Sequence, residues 1–432
     1  NVGIFEGTAG TVTLDAAKPP TCGGITFKSG GYTLSGGTIK VANNSAFTVG
    51  TASLSATVSS VIADSSGACN VAFGNTSARS TFTLGGANTY SGKTTLVQNT
   101  IYFDSLADGG NPSSFGQGDS TTPVVIGNNA SYSQANYTGN GGSTDRPWQI
   151  GGSGGGIIQN NGYGAISFNN LSPAVAGTLG NRKLTLQGNY TATASTFAGA
   201  LVDMPTFRTS LEVKGATWNI LGTNSYSGVT TISGGTLQLT NDIALGSPAG
   251  AIVFSASVTL AAINLGAAER NDVTIGAART ITVNSGITAN FYTPDTNNLI
   301  IAAYIKGPGN VIKKSSSYAF GTVRFSCDTN DYTGEFSAGY GHTEFTSVAN
   351  TGTPSSLGKG TTGIINIPNG NASGFLTYVG DNNSATTRPL NWTGQNNYSL
   401  INNGVGTIAW LAPDALRSVN TAPASFILDG SN

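Results

Sequence analysis

Three stretches of this chain are versions of one another. NTYSGKTTLVQNTIYF begins at Asn88, NSYSGVTTISGGTLQL at Asn224 and NDYTGEFSAGYGHTEF at Asn330, and a related piece, GGYTLSGGTIKV, begins at Gly30. Each of the three is followed by a leucine- or phenylalanine-glycine signal: Phe115-Gly116, Leu245-Gly246 and Leu357-Gly358. A longer period lies over them. The 242 residues that separate Asn88 from Asn330 also separate Ser114 from Ser356, Arg146-Pro147 from Arg388-Pro389, Asn160-Asn161-Gly162 from Asn402-Asn403-Gly404, and Leu186 from Leu428. Residues 88–188 therefore read as a diverged duplicate of 330–430, with a further repeat motif at 207–246. Self-similarity of this kind restricts a chain to architectures that stack one small unit on the next. The position matching Asn432 falls part-way through the first copy, so the expectation is a single continuous solenoid over 1–432 that is a segment of a larger repeat protein.

The local pattern says what the stacked unit is. In Thr236-Leu237-Gln238-Leu239 the alternation places Leu237 and Leu239 on one face and the polar residues on the other. Ser233-Gly234-Gly235 supplies a corner after the short strand Thr230-Thr231-Ile232. No apolar i, i+3, i+4 pattern is sustained for a dozen residues, the chain has five glutamates and one methionine, and its 61 glycines interrupt any long helix. The fold class expected is all-β: an elongated right-handed parallel β-helix with coils of a little over twenty residues, its hand following the crossover preference of parallel strands.

The motif N-x-Y-S/T-G-x-T-T-I-x-x-G-T-L-Q-L-x-N-x-x-A-L-G resembles the autotransporter-associated β-strand repeat, also called the passenger-associated transport repeat. The lead-in FRTSLEVKGATWNILGTNSYSG at 207–228 is similar to the stretch that precedes this motif in that family. The middle copy matches best, and the last has lost Thr-Thr to Phe336-Ser337. The resemblance implies a right-handed parallel β-helix exposed at the bacterial surface or secreted from it. In that reading Asn88, Tyr90, Gly92, Asn224, Tyr226, Gly228, Asn330, Tyr332 and Gly334 are structural motif residues.

Few residues offer chemistry. Only 9% are charged, with 19 Lys and Arg against 20 acids, which excludes a nucleic-acid groove or an anionic-membrane surface. No apolar run is long enough to span a bilayer, so membrane attachment is expected only through parts outside these residues. Ser91-Gly92-Lys93-Thr94 looks like the tail of a phosphate loop, but Ala87 stands where that motif needs glycine. Gly151-Gly152-Ser153-Gly154-Gly155 satisfies G-x-S-x-G without the strand-turn-helix context, and the single histidine, His342, would have to be its base. One histidine builds no His-rich metal centre, and Gly380-Asp381-Asn382-Asn383 reads as an Asx turn. Asp328 with Asp331, and Glu335 with Glu344, are the acid pairs a glycoside hydrolase would need. Their counterparts in the first copy are not acids, which favours scattered surface carboxylates. Cys22, Cys69 and Cys327 are too few and too far apart for a disulfide framework.

No catalytic residue, cofactor site or metal site is therefore expected. Trp148 and Trp392, beside the recurring Arg-Pro pairs, are weak candidates for exposed binding anchors. Sequons at Asn75, Asn136 and Asn391 are what an Asn/Ser/Thr-rich chain generates by chance. The function read from the sequence is a non-enzymatic structural or adhesive surface protein: a fibre, a layer or an autotransporter-type passenger. Its expected partners are other copies, end to end or side by side, and surface glycans or other cells. A carbohydrate-active or glycan-binding β-helix, and a stalk presenting a domain elsewhere, are the alternatives.

Overall fold

A computed structural model of the chain describes all residues except 129, 178–179, 265–271, 295–296, 315–320, 368–373, 393–397, 419–424 and 432. Asn432, where the repeat was expected to break off, and parts of the segment 330–430 lie outside the described residues. Short strands joined by turns dominate, and among the described residues the one helical element is a 3₁₀ turn, Asp242–Leu245. That turn is capped by the motif asparagine Asn241, whose Oδ1 accepts from the Ala244 amide at 3.1 Å, and it ends at Gly246 with φ 75°. The chain is an all-β, parallel β-solenoid that divides into two compact units, Asn1–Gly228 and Val229–Asn432.

In Asn1–Gly228 every described strand ladder is parallel. One sheet stacks Gly3–Phe5, Thr21–Phe27, Thr38–Val49, Val71–Gly74, Thr94–Val97, Val124–Ile126 and Trp148–Ile150. Another runs from Ser55–Val58 through Ser80–Leu84, Asn99–Phe103, Ser133–Tyr137, Gly156–Asn160 and Arg182–Gly188 to Thr209–Ile220. A coil takes 22 residues from Gly3 to Ile25 and 30 from Thr94 to Val124, somewhat more than expected, because loops of different length fit between fixed rungs. Two strands bend and serve two neighbours each. Thr38–Val49 turns at Asn44, φ 63°, and Thr209–Ile220 at Ala216, φ 57°. Alternation sends every second side chain inward, where rings from successive coils pack: Phe103 on Phe115 at 4.8 Å, Phe115 on Trp148 at 5.3 Å, Trp148 on Phe168 at 4.7 Å.

Val229–Asn432 is built the same way. One ladder passes from Val258–Ala262 through Thr288–Tyr292, Asn310–Lys313, Phe336–Ala338, Ile365–Ile367 and Leu390–Trp392 to Leu416–Ser418. A second passes from Val273–Ile275 through Asn298–Ile301, Thr322–Phe325, Gly341–Phe345, Gly374–Tyr378 and Tyr398–Asn402 to Phe426–Gly430. In the strand Thr230–Leu239, Ile232, Leu237 and Leu239 are wholly buried, as their alternation requires. The strand continues through Gly234-Gly235, pairing with Ile252–Phe254 before the glycines and Val258–Ala262 after them. Gly235, φ 69°, makes the bend.

Candidate functional site

The motif residues form a clip between coils. Asn88 is fully buried; its Oδ1 accepts from the Ile62 amide at 2.7 Å and its Nδ2 donates to the Ser114 carbonyl at 2.8 Å, 26 residues away on either side. Asn330 does the same with Ile305, at 2.7 Å, and Ser356, at 3.1 Å, and Asn224 Oδ1 accepts from Leu201 at 2.7 Å. A carboxamide carries its acceptor and its donor on separate atoms, so it can join the coil before to the coil after. The motif glycines answer a second demand. A Cβ on Gly92 would stand 2.4 Å from the Cys69 backbone, on Gly228 2.3 Å from the Thr209 carbonyl oxygen, and on Gly334 2.1 Å from that of Gly309. None of the three has positive φ. They sit at bends of the chain, where close approach between coils, and not a positive φ, requires glycine.

Tyr90, Tyr226 and Tyr332 are completely buried. Thr94 donates its hydroxyl to the Phe115 carbonyl at 3.1 Å, so the Tyr90 hydroxyl donates to Thr94 at 2.7 Å. Burial pushes the Tyr90 hydroxyl up to about 12. Tyr332 has no such partner, because Phe336 occupies the place of Thr94, and its hydroxyl is unsatisfied among the described residues.

Each Leu/Phe-Gly signal is gripped by a buried arginine farther along. Arg146 Nη1 donates to the carbonyls of Phe115, 2.6 Å, and Gly116, 3.3 Å; Arg388 Nη1 donates to those of Leu357, 3.2 Å, and Gly358, 3.1 Å. Arg279 does this for the middle copy, reaching Leu245 at 3.2 Å and Gly246 at 2.9 Å while its Nε pairs with Asp242 at 2.6 Å. Burial lowers the affinity of Arg146 and Arg388 for their protons. Asp64 and Asp203 complete the motif from the preceding coil, each accepting from the motif serine: Ser91 Oγ at 2.6 Å and Ser227 Oγ at 2.5 Å. The sequence reading found neither aspartate, nor Arg279.

The two tryptophans are not surface anchors. Trp148 is 5% exposed and Trp392 7%, because each lies on the inward face of the strand that follows or contains the Arg-Pro turn. The expectation of exposed rings there is corrected. Ser153 lies in a turn between the strands Trp148–Ile150 and Gly156–Asn160, with no helix to form an elbow. His342 is half-buried on Gly341–Phe345 and stacks on Phe375 at 4.4 Å; burial, then Lys313, lower its proton affinity. The four acids are held by separate partners: Asp328 by Thr346 and Ser347, both at 2.6 Å, Asp331 by Lys359 at 3.6 Å, Glu335 by Asn366 at 3.0 Å and Glu344 by Arg324 at 2.5 Å. The sequon amides of Asn75 and Asn391 are occupied by Val49 and Asn366, and Asn136 is buried. The three cysteines are free thiols. Among the described residues no three His, Cys, Asp or Glu side chains gather around a metal-sized space, and no helix is long and apolar enough to cross a membrane.

A cavity opens on the surface of Asn1–Gly228. It encloses about 330 Å³ and is lined by Tyr132, Ile157, Lys183, Thr185, Gln187, Glu212 and Lys214, with Gly154 and Gly156 between them. Arg79 lies over the Tyr132 ring, 4.0 Å from its centroid, and donates to the Tyr132 carbonyl at 3.2 Å. Glu212 Oε2 accepts from Lys183 Nζ at 2.6 Å and from Thr185 Oγ1 at 3.4 Å.

Fold and clip together define a parallel β-solenoid whose repeat motif is spent on joining coils. In sequence, the chain is 28% identical over 465 aligned residues to the adhesin BmaC autotransporter of Brucella suis biovar 1 (strain 1330). The alignment takes in 98% of this chain and 12% of that protein, so the chain spans about an eighth of the relative's length. No family model matches the chain, and no solved structure does.

Proposed function

We propose that this chain is an adhesive, non-enzymatic segment of an autotransporter-type passenger at the bacterial surface or released from it. The observation that carries the reading is the likeness to an autotransporter adhesin along 98% of the chain. The chemistry of the motif supports it: the repeated Asn and Arg side chains are buried and bond to backbone, and the repeated tyrosine rings are buried beside them, which leaves none of these groups facing a substrate. Ladder pairing and clips give rigidity, and the outward side chains do the binding. Contacts between copies and contacts with surface glycans are the partners this reading carries forward.

The test is attachment. Beads bearing the folded chain are settled on cultured animal cells, on bacteria displaying the same chain and on glass. Retention above that of beads bearing the urea-unfolded chain is expected on at least one surface; equal retention on all three overturns the adhesive reading. A polysaccharide depolymerisation screen tests the non-enzymatic part, which fails if turnover is found and is lost in Asp328→Asn or Asp331→Asn.

A further inference from the structure

Adhesion needs a recognition surface, and the outer face of Asn1–Gly228 carries a built one. We propose that the groove between Tyr132 and Lys214 binds a hydroxyl-rich glycan chain, one or two sugar rings at a time; the inference rests on the adhesive reading and gives it a ligand class. Three observations lead there.

The first is the lack of a backbone edge. Ser133–Tyr137 is paired with Asn99–Phe103 on one side and Gly156–Asn160 on the other, and Arg182–Gly188 lies between Gly156–Asn160 and Thr209–Ile220. The amides and carbonyls of Ser133–Tyr137, Gly156–Asn160 and Arg182–Gly188 are spent in ladders on both sides, so an extended peptide finds no edge to join at these three strands. A ligand here must be recognised by side chains alone.

The second is which side chains these are. Tyr132, 42% exposed, offers a ring for the C–H face of a pyranose, and Arg79 fixes that ring before anything binds. Thr185, Gln187, Glu212 and Lys214 offer donors and acceptors at the scale of sugar hydroxyls. The amide of Gln187 is itself held, donating to Gln159 Oε1 at 2.8 Å, and Gln134 donates to the same oxygen at 2.5 Å. The third is charge. Among the lining residues Lys183 and Glu212 pair at 2.6 Å and Lys214 adds one cation, while the Arg79 guanidinium beside the ring is taken up by the Tyr132 ring and carbonyl and by Thr100; a single uncommitted ammonium is little for a phosphate or polyanion site. A volume of about 330 Å³ is at the small end for ligand sites, which suits a short stretch of a longer polymer lying along an open groove.

The full chain is titrated calorimetrically with β-1,4-glucan, α-1,6-mannan and poly-N-acetyllactosamine oligosaccharides, with gelatin as the protein comparator. Binding of at least one saccharide is expected, weakened about tenfold by Tyr132→Ala and about threefold by Gln187→Ala. Tyr163→Ala, in a separate turn where the ring is 83% exposed, leaves it unchanged. Lys214→Ala serves as a third variant should either of the first two lose its β-sheet circular dichroism. The proposal is overturned if no saccharide binds, if binding is the same in the groove variants, or if gelatin binds and Tyr132→Ala removes that binding. Bead attachment that survives Tyr132→Ala condemns the groove and leaves the adhesive reading standing. Attachment absent from the unmodified chain condemns the adhesive reading, while the titration still reports on the groove.

Discussion

The motif around Tyr90 and the motif around Tyr332 are 242 residues apart in sequence and share almost every backbone-directed bond. Asn88 and Asn330 bridge to the coils on either side, Arg146 and Arg388 grip equivalent carbonyl pairs, and Asn160 and Asn402 close equivalent turns through Gly164, 3.0 Å, and Gly406, 3.2 Å. What differs is the interior beside them. Thr94, which takes the Tyr90 hydroxyl, is replaced by Phe336, and Tyr332 is left with a buried hydroxyl and no acceptor among the described residues. Phe73, opposite Leu96 in the first ladder, is matched by Lys313 opposite Ala338 in the second. Lys313 is 1% exposed and donates to the Tyr340 carbonyl. Bonds that join coils have thus been kept through divergence, and polar groups inside a coil have been allowed to lose their partners.

This contrast breaks if the clips are dispensable in one copy. Asn88→Ala strands the Ile62 amide and the Ser114 carbonyl, and Asn330→Ala strands those of Ile305 and Ser356. Two buried backbone groups without partners cost about 4 kcal/mol. A solenoid's stability is a sum over rungs, so the loss is expected as faster amide exchange at those rungs, equal in the two copies. A clip that proves silent in one copy ends the comparison.

Lys313 gives the next largest effect. Burial pushes its ammonium down to about 8, while in the unfolded chain it titrates near 10.5. Between those values the unfolded chain holds more protons, so local stability rises with pH from about 8 to 10.5. Below pH 8 the buried charge costs on the order of 3 kcal/mol. Lys313→Met is expected to recover that much at pH 7 and to flatten the pH dependence of exchange around Asn310–Lys313. Phe73→Met in the first copy changes no pH dependence. Stability that falls between pH 8 and 10.5 would contradict the assignment.

Much of this was legible in the sequence, and the reasons for the rest are physical. Alternation at Leu237 and Leu239 declared the inward face, and both side chains are fully buried. The recurring Asn, Gly and Leu-Gly positions were visible because each bonds to backbone, which no substitution elsewhere replaces. Trp148 and Trp392 were misjudged because proline marks the turn but not the face of the strand after it. Arg279 escaped because loops of unequal length set it 34 residues after Leu245, where Arg146 and Arg388 stand 31 after Phe115 and Leu357. The spacing that defines a repeat in sequence is not the spacing that defines a rung. The groove beside Tyr132 left no sequence signal that was read as a site, since its lining comes from four coils and is contiguous only in the folded chain.

The arginine grips sharpen the comparison at a smaller scale. Neither Arg146 nor Arg388 has a carboxylate partner among the described residues; carbonyl oxygens alone receive their guanidinium groups. A planar fork reaches two carbonyls and a third on the next segment, and an ammonium does not. Arg146→Lys and Arg388→Lys are each expected to cost about 2 kcal/mol, read as loss of protection at Phe115-Gly116 and Leu357-Gly358. Arg279→Lys costs more than either, because it also loses its Nε contact with Asp242 at 2.6 Å.

The smallest effect is the most pointed, because it should change sign between the copies. Tyr90→Phe removes a donor to Thr94, whose own proton is committed to Phe115, and is expected to destabilise by about 1 kcal/mol. Tyr332→Phe removes a hydroxyl that is buried without a partner, and is expected to stabilise by about 1 kcal/mol. The pair is measured as urea-dependent amide exchange in the respective rungs. Phe336→Thr then supplies the missing acceptor, though it forfeits the packing of Phe336 on Phe325 at 5.2 Å. In that background Tyr332→Phe should turn from stabilising to destabilising, a coupling that a double-mutant cycle isolates from the lost packing. If Tyr332→Phe destabilises in both backgrounds, the hydroxyl has a partner in solution, and the two copies differ less inside the coil than their sequences suggest.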